Sequence, residues 1–523
     1  MPLAKRYDPA IAEPALATRW SELGLYAFDR DSDAPVYSVD TPPPTVSGTL
    51  HLGHVYSYSQ TDFMARFARM SGYSVYYPMG FDDNGLPTER LVEKTHGVTA
   101  PEVGRAAFIQ LCLEVSEQAE EQYRALWQRL GLSVDWRYTY RSIDELSRRT
   151  SQRSFLDLYR QGRVYRAEAP ALWCPECQTA IAQAELDDLE RESTFYTLAF
   201  TVRDGETLPI ATTRPELLPA CVAIFVPPGD PRFAALVGSQ ALVPIFGHAV
   251  PIIADMKAEG EKGTGAVMCC TFGDTTDVEW WREYHLPLRI AIGRDGRMAP
   301  DTGSLAGMTT AQARAAILEQ LRAQGLLLST RPVEQSVRVH ERCGTPVEYV
   351  IVKQWFVRVL DRKEELLSAG KKVTWHPAHM AARYRSWVEG LRLDWNLSRQ
   401  RYFGVPFPVW YCDTCGVVLT ASNDELPVDP TARGPSQPCS CGGSAYTPET
   451  DVMDTWATSS MSPQIAGRWL VDPALYAKVF PFTLRPQAHE IIRTWAFYTI
   501  VKSAEHFDAL PWRDVAISGW GLA

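Results

Sequence analysis

The tetrad His51-Leu52-Gly53-His54 sets two imidazoles three residues apart across a glycine. It follows a short β-like run, Val36-Tyr37-Ser38-Val39, and the turn Thr41-Pro42-Pro43-Pro44; from Leu52 to Met70 apolar residues then recur at helical spacing. Strand, turn, helix is the order that turns the backbone N–H groups of a helix start toward a phosphate. Gly53 lets a flat base or ribose approach the backbone, and two imidazoles can donate hydrogen bonds to charge developing on a transferring phosphoryl group. Such a site works by positioning and needs no covalent nucleophile. The plainer meaning of His-x-x-His is a pair that caps and packs a helix; the strand and triple proline before it favour the phosphate role.

Cysteine supplies the second kind of chemistry. Seven of eleven cysteines fall in short-spaced clusters, one of them beside a histidine. Cys174-Pro175-Glu176-Cys177 and His340-Glu341-Arg342-Cys343 make two knuckles separated by a long stretch, and together they offer one tetrahedral zinc site at the two necks of an inserted domain. Cys412, Cys415, Cys439 and Cys441 offer four thiolates, the second pair at a tight Cys-x-Cys spacing. Four protein ligands leave no open position, so both sites read as structural, with reduced unliganded thiols as the alternative. Cys112, Cys221, Cys269 and Cys270 lack such spacing and read as buried side chains.

The elements that must hold these groups read as several domains, because 523 residues exceed one hydrophobic core. Residues 1–190 alternate strands and helices, with Ser74 to Met79 the next strand and Phe108 to Leu130 and Ser142 to Gln161 amphipathic helices. Residues 191–335 change to short β-type runs broken by Gly and Pro, among them Phe195 to Val202, Val222 to Val226 and Ala249 to Ile253. Residues 336–523 return to the mixed pattern, with Asn423 to Pro438 a loop. The expected fold class is thus α/β: a Rossmann-type parallel-sheet domain, split by a β-rich insertion and carrying small zinc knuckles. The formal charge of −10 excludes a surface basic all over, so nucleic-acid contact must use local patches. The stretch from Arg383-Tyr384-Arg385 to Arg401-Tyr402-Phe403 is one candidate, or else a solvated helix face with a core stripe. No run of about 18 apolar residues and no export signal is seen, so the expectation is a cytoplasmic protein without a membrane span.

Pro42-Pro43-Pro44-Thr45-Val46-Ser47-Gly48 running into His51-Leu52-Gly53-His54 resembles the first signature of class I aminoacyl-tRNA synthetases, most of all the branch that handles valine. Gly80-Phe81-Asp82-Asp83-Asn84-Gly85, Ala211-Thr212-Thr213-Arg214-Pro215-Glu216, Asp451-Val452-Met453-Asp454-Thr455-Trp456 and His489-Glu490-Ile491-Ile492-Arg493 extend the resemblance along the chain. It implies that valine attacks the α-phosphorus of ATP, with Mg2+ as cofactor, and that the valyl group then passes to tRNA(Val). It further implies that His51 and His54 contact the phosphates, Gly53 the adenosine, and Glu490 the ribose, where the family usually has aspartate. Asp82 would pair with the substrate ammonium, a charge-assisted bond that both holds and orients it. Pro43, Thr45 and Trp456 would line the pocket for the side chain.

A pocket sized for valine excludes the near-isosteric threonine only weakly, so a second, hydrolytic site is the remedy the resemblance implies. Thr212, Thr213, Arg214 and Glu216 resemble one half of that editing site, and Asp274 with Asp277 the other, Asp277 fixing the ammonium of the mischarged ester. Their plain alternatives are a hydroxyl turn and a surface turn; Lys262 to Met268 reads as a further pocket loop or a hairpin. The family's lysine-rich second signature and its anticodon-binding domain are not found before Ala523. The expectation is therefore an incomplete form of a monomeric ligase, impaired in activation, with a stand-alone deacylase and a non-catalytic adenylate- or tRNA-binding module as alternatives.

Overall fold

The computed structural model describes residues 6–46, 51–202 and 205–519, which divide into two compact units, Met1–Tyr165 with Trp355–Ala523, and Arg166–Gln354. In the first unit, five strands run parallel: β1 (Val36–Ser38), β2 (Ser74–Tyr76), β3 (Thr374–His376), β4 (Phe482–Gln487) and β5 (Trp512–Ile517). Tyr37 pairs with Val75, Val39 bridges Leu484, Leu484 pairs with Asp514, and Asp514 with Thr374. The spatial order is β2-β1-β4-β5-β3. The chain leaves β1 toward β2 on one side and leaves β4 toward β5 on the other, so the order reverses between β1 and β4. In doubly wound sheets that reversal opens the ligand crevice at the carboxyl ends of the strands.

Helix α1 (Leu52–Met70) crosses from β1 to β2 and buries Tyr58, Thr61, Asp62, Ala65 and Ala68, one face at helical spacing. Tyr58, Ala65 and Ala68 share a core with Val39, Val75, Tyr77, Met79 and Trp127. Asp62 is tolerated there because Arg66, the Ser133 N–H and the Ser133 hydroxyl all satisfy it. A further parallel pair, Gly80–Phe81 with Tyr140–Arg141, extends beyond β2 in the register Phe81 to Arg141.

The second unit is built on a mixed sheet in the order Val267–Cys270, Cys221–Val226, Ala249–Ala254, Gln240–Leu242, Leu186–Thr201, Leu327–His340, with Thr207–Thr212 also paired to Leu186–Thr201. All six residues of Cys221–Val226 are buried, as befits a strand with neighbours on both edges and a parallel partner. Its core joins Phe200, Ile210, Leu218, Ile224 and Ile252 to Ile317 and Leu321 of the helix Thr310–Ala323. Strand structure begins at Leu186, earlier than the β-type texture of the sequence suggests. Asp187 to Glu192 are exposed on the ribbon formed with Leu327–His340, and a ribbon wet on both faces writes no alternation into its residues. Cys112, Cys221, Cys269 and Cys270 are buried free thiols, as expected. No helix among the described residues is long and apolar enough to cross a membrane.

Candidate functional site

His51 is the N-cap of α1. Its Nδ1 accepts the Gly53 N–H at 3.1 Å, the His51 N–H points at His54 Nδ1 at 3.4 Å, and the two rings stand 4.1 Å apart between centroids. The tetrad therefore caps its helix, as the plainer reading has it, while lying at the reversal of the sheet, as the phosphate reading requires. A Cβ on Gly53 would fall 2.9 Å from the His51 ring, so only glycine lets the imidazole fold over the helix start. His51 is exposed and His54 half-buried; burial, and then the neighbouring His51, lower the pKa of His54, which favours its neutral form. Ser47 to Leu50, between the proline turn and the tetrad, lie outside the described residues.

The other strand ends meet the same edge. Ser518, after β5, donates its N–H to the Gln487 carbonyl, and its hydroxyl takes a bond from Ser57 on α1 at 3.1 Å. Glu490 is exposed in the single helical turn after β4, across the reversal from the tetrad. Beneath them the buried Arg485 of β4 lies between the Trp495 and Trp512 rings and pairs with Asp40, which follows β1, at 2.8 Å from Nε. Burial draws the Arg485 pKa down to about 10 against the pull of Asp40. This pair ties β1 to β4 where the crevice opens, and nothing in the local sequence marks it.

Asp82 lies at the end of the Gly80–Phe81 strand, buried, with Thr45 bridged to it by backbone pairing. The Asp82 N–H donates to the Pro44 carbonyl at 2.9 Å, and the Tyr123 hydroxyl holds the Thr45 carbonyl at 3.0 Å, so the proline turn is fastened against the carboxylate. Pro43 is half-buried within that turn. The short helix Thr455–Ser459 closes the other side. Asp454 caps it through the Trp456 N–H, Thr455 donates to the Asn84 carbonyl, and the Ser459 hydroxyl reaches Asp82 Oδ2 at 3.3 Å. Trp456 is nine-tenths buried. Thr45, Asp82 and the Trp456 helix are thus brought together. Sequence reasoning missed Ser142, whose hydroxyl donates to Asp82 Oδ1 at 2.8 Å, and Trp495, whose indole N–H holds the Ser459 carbonyl at 2.8 Å. A lone serine has no local signal; Trp495 stands two residues past the His489-to-Arg493 motif.

The arginine-rich stretch requires a correction. Arg399 is buried against Asp454 at 3.1 Å, and Arg401 pairs with the buried Glu89 and with Glu93. Glu89 also accepts the N–H groups of Tyr402 and Phe403. These two arginines are neither a nucleic-acid path nor a solvated face but ion pairs that pin one loop; Arg383, Arg385 and Arg392 are exposed.

Both cysteine clusters form. Cys174, Cys177, His340 and Cys343 all lie in the second unit, with ligand atoms within 4.8 Å of one another, and Cys412, Cys415, Cys439 and Cys441 meet the same limit in the first. Cys174 Sγ is 3.5 Å from Cys343 Sγ, Cys177 Sγ is 3.6 Å from His340 Nδ1, and Cys343 Sγ is 3.5 Å from the same nitrogen. In the other cluster the Cys412–Cys441 and Cys415–Cys439 sulfur separations are 3.6 and 3.5 Å. Tetrahedral zinc with bonds of about 2.3 Å sets sulfurs roughly 3.7 Å apart, so both donor sets fit that ion. The Cys177 thiol beside it holds the Cys174 pKa down at about 4, and backbone N–H groups, Cys415's foremost, hold Cys412 at about 6. Each cluster therefore has a thiolate ready near neutral pH.

In the second unit, Thr212 ends the strand Thr207–Thr212, and its hydroxyl accepts the Arg214 N–H at 3.0 Å, the local turn that such residues make on their own. Thr213 is half-buried beside it. Arg214 pairs with Glu216 and Glu348, and Arg314 grips Glu216 at 2.7 Å. Burial works to raise the Glu216 pKa, but Arg314 and Arg214 hold it below the usual range. These ion pairs occupy Arg214 and Glu216, which brace the loop. Asp274 caps the helix Thr275–Glu283 by accepting the Asp277 N–H, while Asp277 turns back to accept the Gly273 N–H at 2.8 Å. Asp277 is buried, and burial followed by Asp274 raises its pKa. The segments next to them meet: the Thr271 N–H donates to the Ala220 carbonyl, and Leu217, Thr271, Phe272 and Tyr349 line one hollow. Gly263 of the Lys262–Met268 loop lies against Ala211.

A parallel sheet whose strand order reverses, here beside a helix-capping histidine pair, places the first unit in the doubly wound α/β class. Within it, the family of class I tRNA synthetases for I, L, M and V matches residues 15–523, and the chain belongs to that family. It is 47% identical over 529 residues to the valine–tRNA ligase of Rickettsia prowazekii (strain Madrid E), covering 99% of this chain and 65% of that protein. It is 48% identical over 501 residues to that of Thermoplasma acidophilum, covering 96% and 63%. The chain thus spans a little under two thirds of the length of these relatives. In fold it is similar to a LeuRS of Agrobacterium radiobacter K84 solved as a ternary complex with tRNA and LeuAMS, with TM-score 0.54, 19% identity and coverage of 98% of this chain and 68% of that one.

Proposed function

We propose that this protein activates valine with ATP for transfer to tRNA(Val), and that its second unit hydrolyses mischarged threonyl-tRNA. The observation that carries the reading is the placement of Asp82: a buried carboxylate fastened beside Thr45 and the Trp456 helix, in the unit that sets His51 and His54 at the sheet reversal. In that arrangement Asp82 takes the ammonium of the amino acid and Trp456 walls its side chain. A carboxylate oxygen of valine bonds to the α-phosphorus, the bond to the bridging oxygen breaks, and pyrophosphate leaves. His51 and His54 stabilise the charge on the phosphates by hydrogen bonding, Gly53 meets the adenosine and Glu490 the ribose. Mg2+ accompanies the triphosphate and neutralises part of its charge. Zinc in the two cysteine clusters is structural. In the editing unit Thr212, Thr213 and Asp277 act on the ester, with Asp277 taking its ammonium and Arg214, Glu216 and Asp274 bracing the walls. The protein works as a cytoplasmic monomer.

The test is calorimetric binding of valine, isoleucine and threonine, with non-reactive sulfamoyl analogues of their adenylates, followed by amino-acid-dependent ATP–pyrophosphate exchange. The expected outcome is the tightest binding for the valyl analogue and exchange that depends on valine. Equal binding of all three analogues, or none, overturns the reading.

A further inference from the structure

Asp82 and Ser142 are 60 residues apart in sequence yet share one position in space, because the parallel pair Gly80–Phe81 and Tyr140–Arg141 ends in the register Phe81 to Arg141 and the next residue of each strand is Asp82 and Ser142. The Ser142 oxygen accepts two N–H groups, those of Asp83 and Asn84, each at 3.1 Å. A hydroxyl has two lone pairs and one proton, so with both lone pairs engaged only the proton remains to be placed. Its nearest acceptor is Asp82 Oδ1 at 2.8 Å, ahead of Asp83 Oδ1 at 3.2 Å. Ser142 is thereby a committed donor.

Ser459, the other hydroxyl on this carboxylate, is placed differently. Its oxygen lies 3.0 Å from the Thr455 carbonyl and 3.3 Å from Asp82 Oδ2, so its one proton serves its own helix first. The strand-side hydroxyl thus makes the shorter bond, to Oδ1, and the helix-side hydroxyl the longer one, to Oδ2.

The geometry points to Ser142 as the residue that positions Asp82 for the ammonium of the amino-acid substrate, turning Oδ1 toward itself and Oδ2 toward the ligand. This rests on the reading above that Asp82 takes that ammonium. Ser142 touches no substrate atom; it acts through Asp82, and its buried oxygen makes the carboxylate a fixed rather than a rotating acceptor.

Calorimetry on the intact chain tests this with three probes: valine, valinol, which keeps the ammonium and lacks the carboxylate, and isovalerate, which lacks the ammonium. Ser142→Ala is expected to weaken valine and valinol about tenfold and to leave isovalerate unchanged, as suits the loss of one hydrogen bond to a charged group. Ser142→Thr keeps the donor and restores binding to within roughly twofold, and Ser459→Ala costs roughly threefold or less. In an Asp82→Asn background, Ser142→Ala has no further effect, since the group it positions is already altered. If the unmodified chain binds valine and Ser142→Ala binds it equally well, or weakens isovalerate as much, the positioning role is refuted and the reading of Asp82 stands. If the unmodified chain binds neither valine nor valinol, the activation reading falls and this inference with it. A Ser142→Ala chain that has lost its native circular dichroism is replaced by Ser142→Thr and Ser142→Cys, between which the same ranking, threonine above cysteine, is required.

Discussion

The rings of His51 and His54 lean on each other with centroids 4.1 Å apart and close the first turn of α1 through a reciprocal capping box. Capping and phosphate binding compete for the same backbone N–H groups, so substrate must displace part of the cap or share it. Substitution separates the two roles. Asparagine caps a helix well but places no imidazole on a phosphate, so His51→Asn is expected to stay within about 0.5 kcal/mol of the parent in urea unfolding. It is also expected to lose valine-dependent exchange by on the order of 10²-fold or more. Parallel loss of stability and exchange would show that the pair is only a cap.

Lys502 and His506 share the hydroxyl of Ser154, which lies 2.8 Å from Lys502 Nζ and 2.8 Å from His506 Nε2. Burial lowers the Lys502 pKa from 10.5 to about 7, with Glu505 opposing, and lowers that of His506 from 6.5 to about 3, helped by Lys502 and Arg153. Both folded pKa values lie below the unfolded ones, so each group's stabilising contribution is complete above its unfolded pKa and is lost as pH falls through the folded one. For Lys502 the window runs from about pH 10.5 down to about 7. Unfolding free energy measured by urea at pH 7, 8, 9 and 10 should therefore rise with pH by up to about 1.4 kcal/mol per unit from this group. That component should vanish in Lys502→Met, and identical slopes in the two proteins would refute it.

Glu89 is completely buried and satisfied by Arg401 and by the N–H groups of Tyr402 and Phe403. Removing its partner leaves an uncompensated charge, so Arg401→Met should destabilise the first unit by about 3–5 kcal/mol. Glu89→Gln keeps the shape and one acceptor and should cost less, about 1–3 kcal/mol. Thermal unfolding of the two variants gives the order.

The donor sets at Cys174, Cys177, His340 and Cys343 and at Cys412, Cys415, Cys439 and Cys441 predict two zinc ions per chain by atomic emission. Cys343→Ser should reduce the count to one and lower the unfolding temperature. Cys415→Ser should do the same for the other cluster. Unchanged metal content in either variant would show that its cluster is a thiol group without metal.

Asp277 is buried and accepts the Gly273 N–H, so Asp277→Asn preserves its volume while removing its charge. Deacylation of threonyl-tRNA should fall by on the order of 10² or more, with binding of the valyl adenylate analogue unchanged. An equal effect on both activities would place Asp277 in the fold rather than in the chemistry.

Local features of this protein were legible residue by residue. The strand and helix around His51 formed where spacing placed them, because a helix and its cap depend on neighbours in sequence. The Cys-x-x-Cys knuckles likewise announced themselves, since a ligand pair needs only a short loop between its members. Matters that depend on distance along the chain were silent. The exposed ribbon from Leu186 lacked alternation because neither face is buried, and Arg399 and Arg401 looked like surface charge because their carboxylates lie far away in sequence. By itself the sequence determined the identity of the reactive groups, the elements that carry them and the family to which they belong. Only the tertiary structure decided that β1 and β4 lie side by side with Asp40 on Arg485, and that the register of two short parallel strands sets the Ser142 hydroxyl on Asp82. Register and long-range ion pairs are selected by packing over the whole unit, and no local run of residues encodes them.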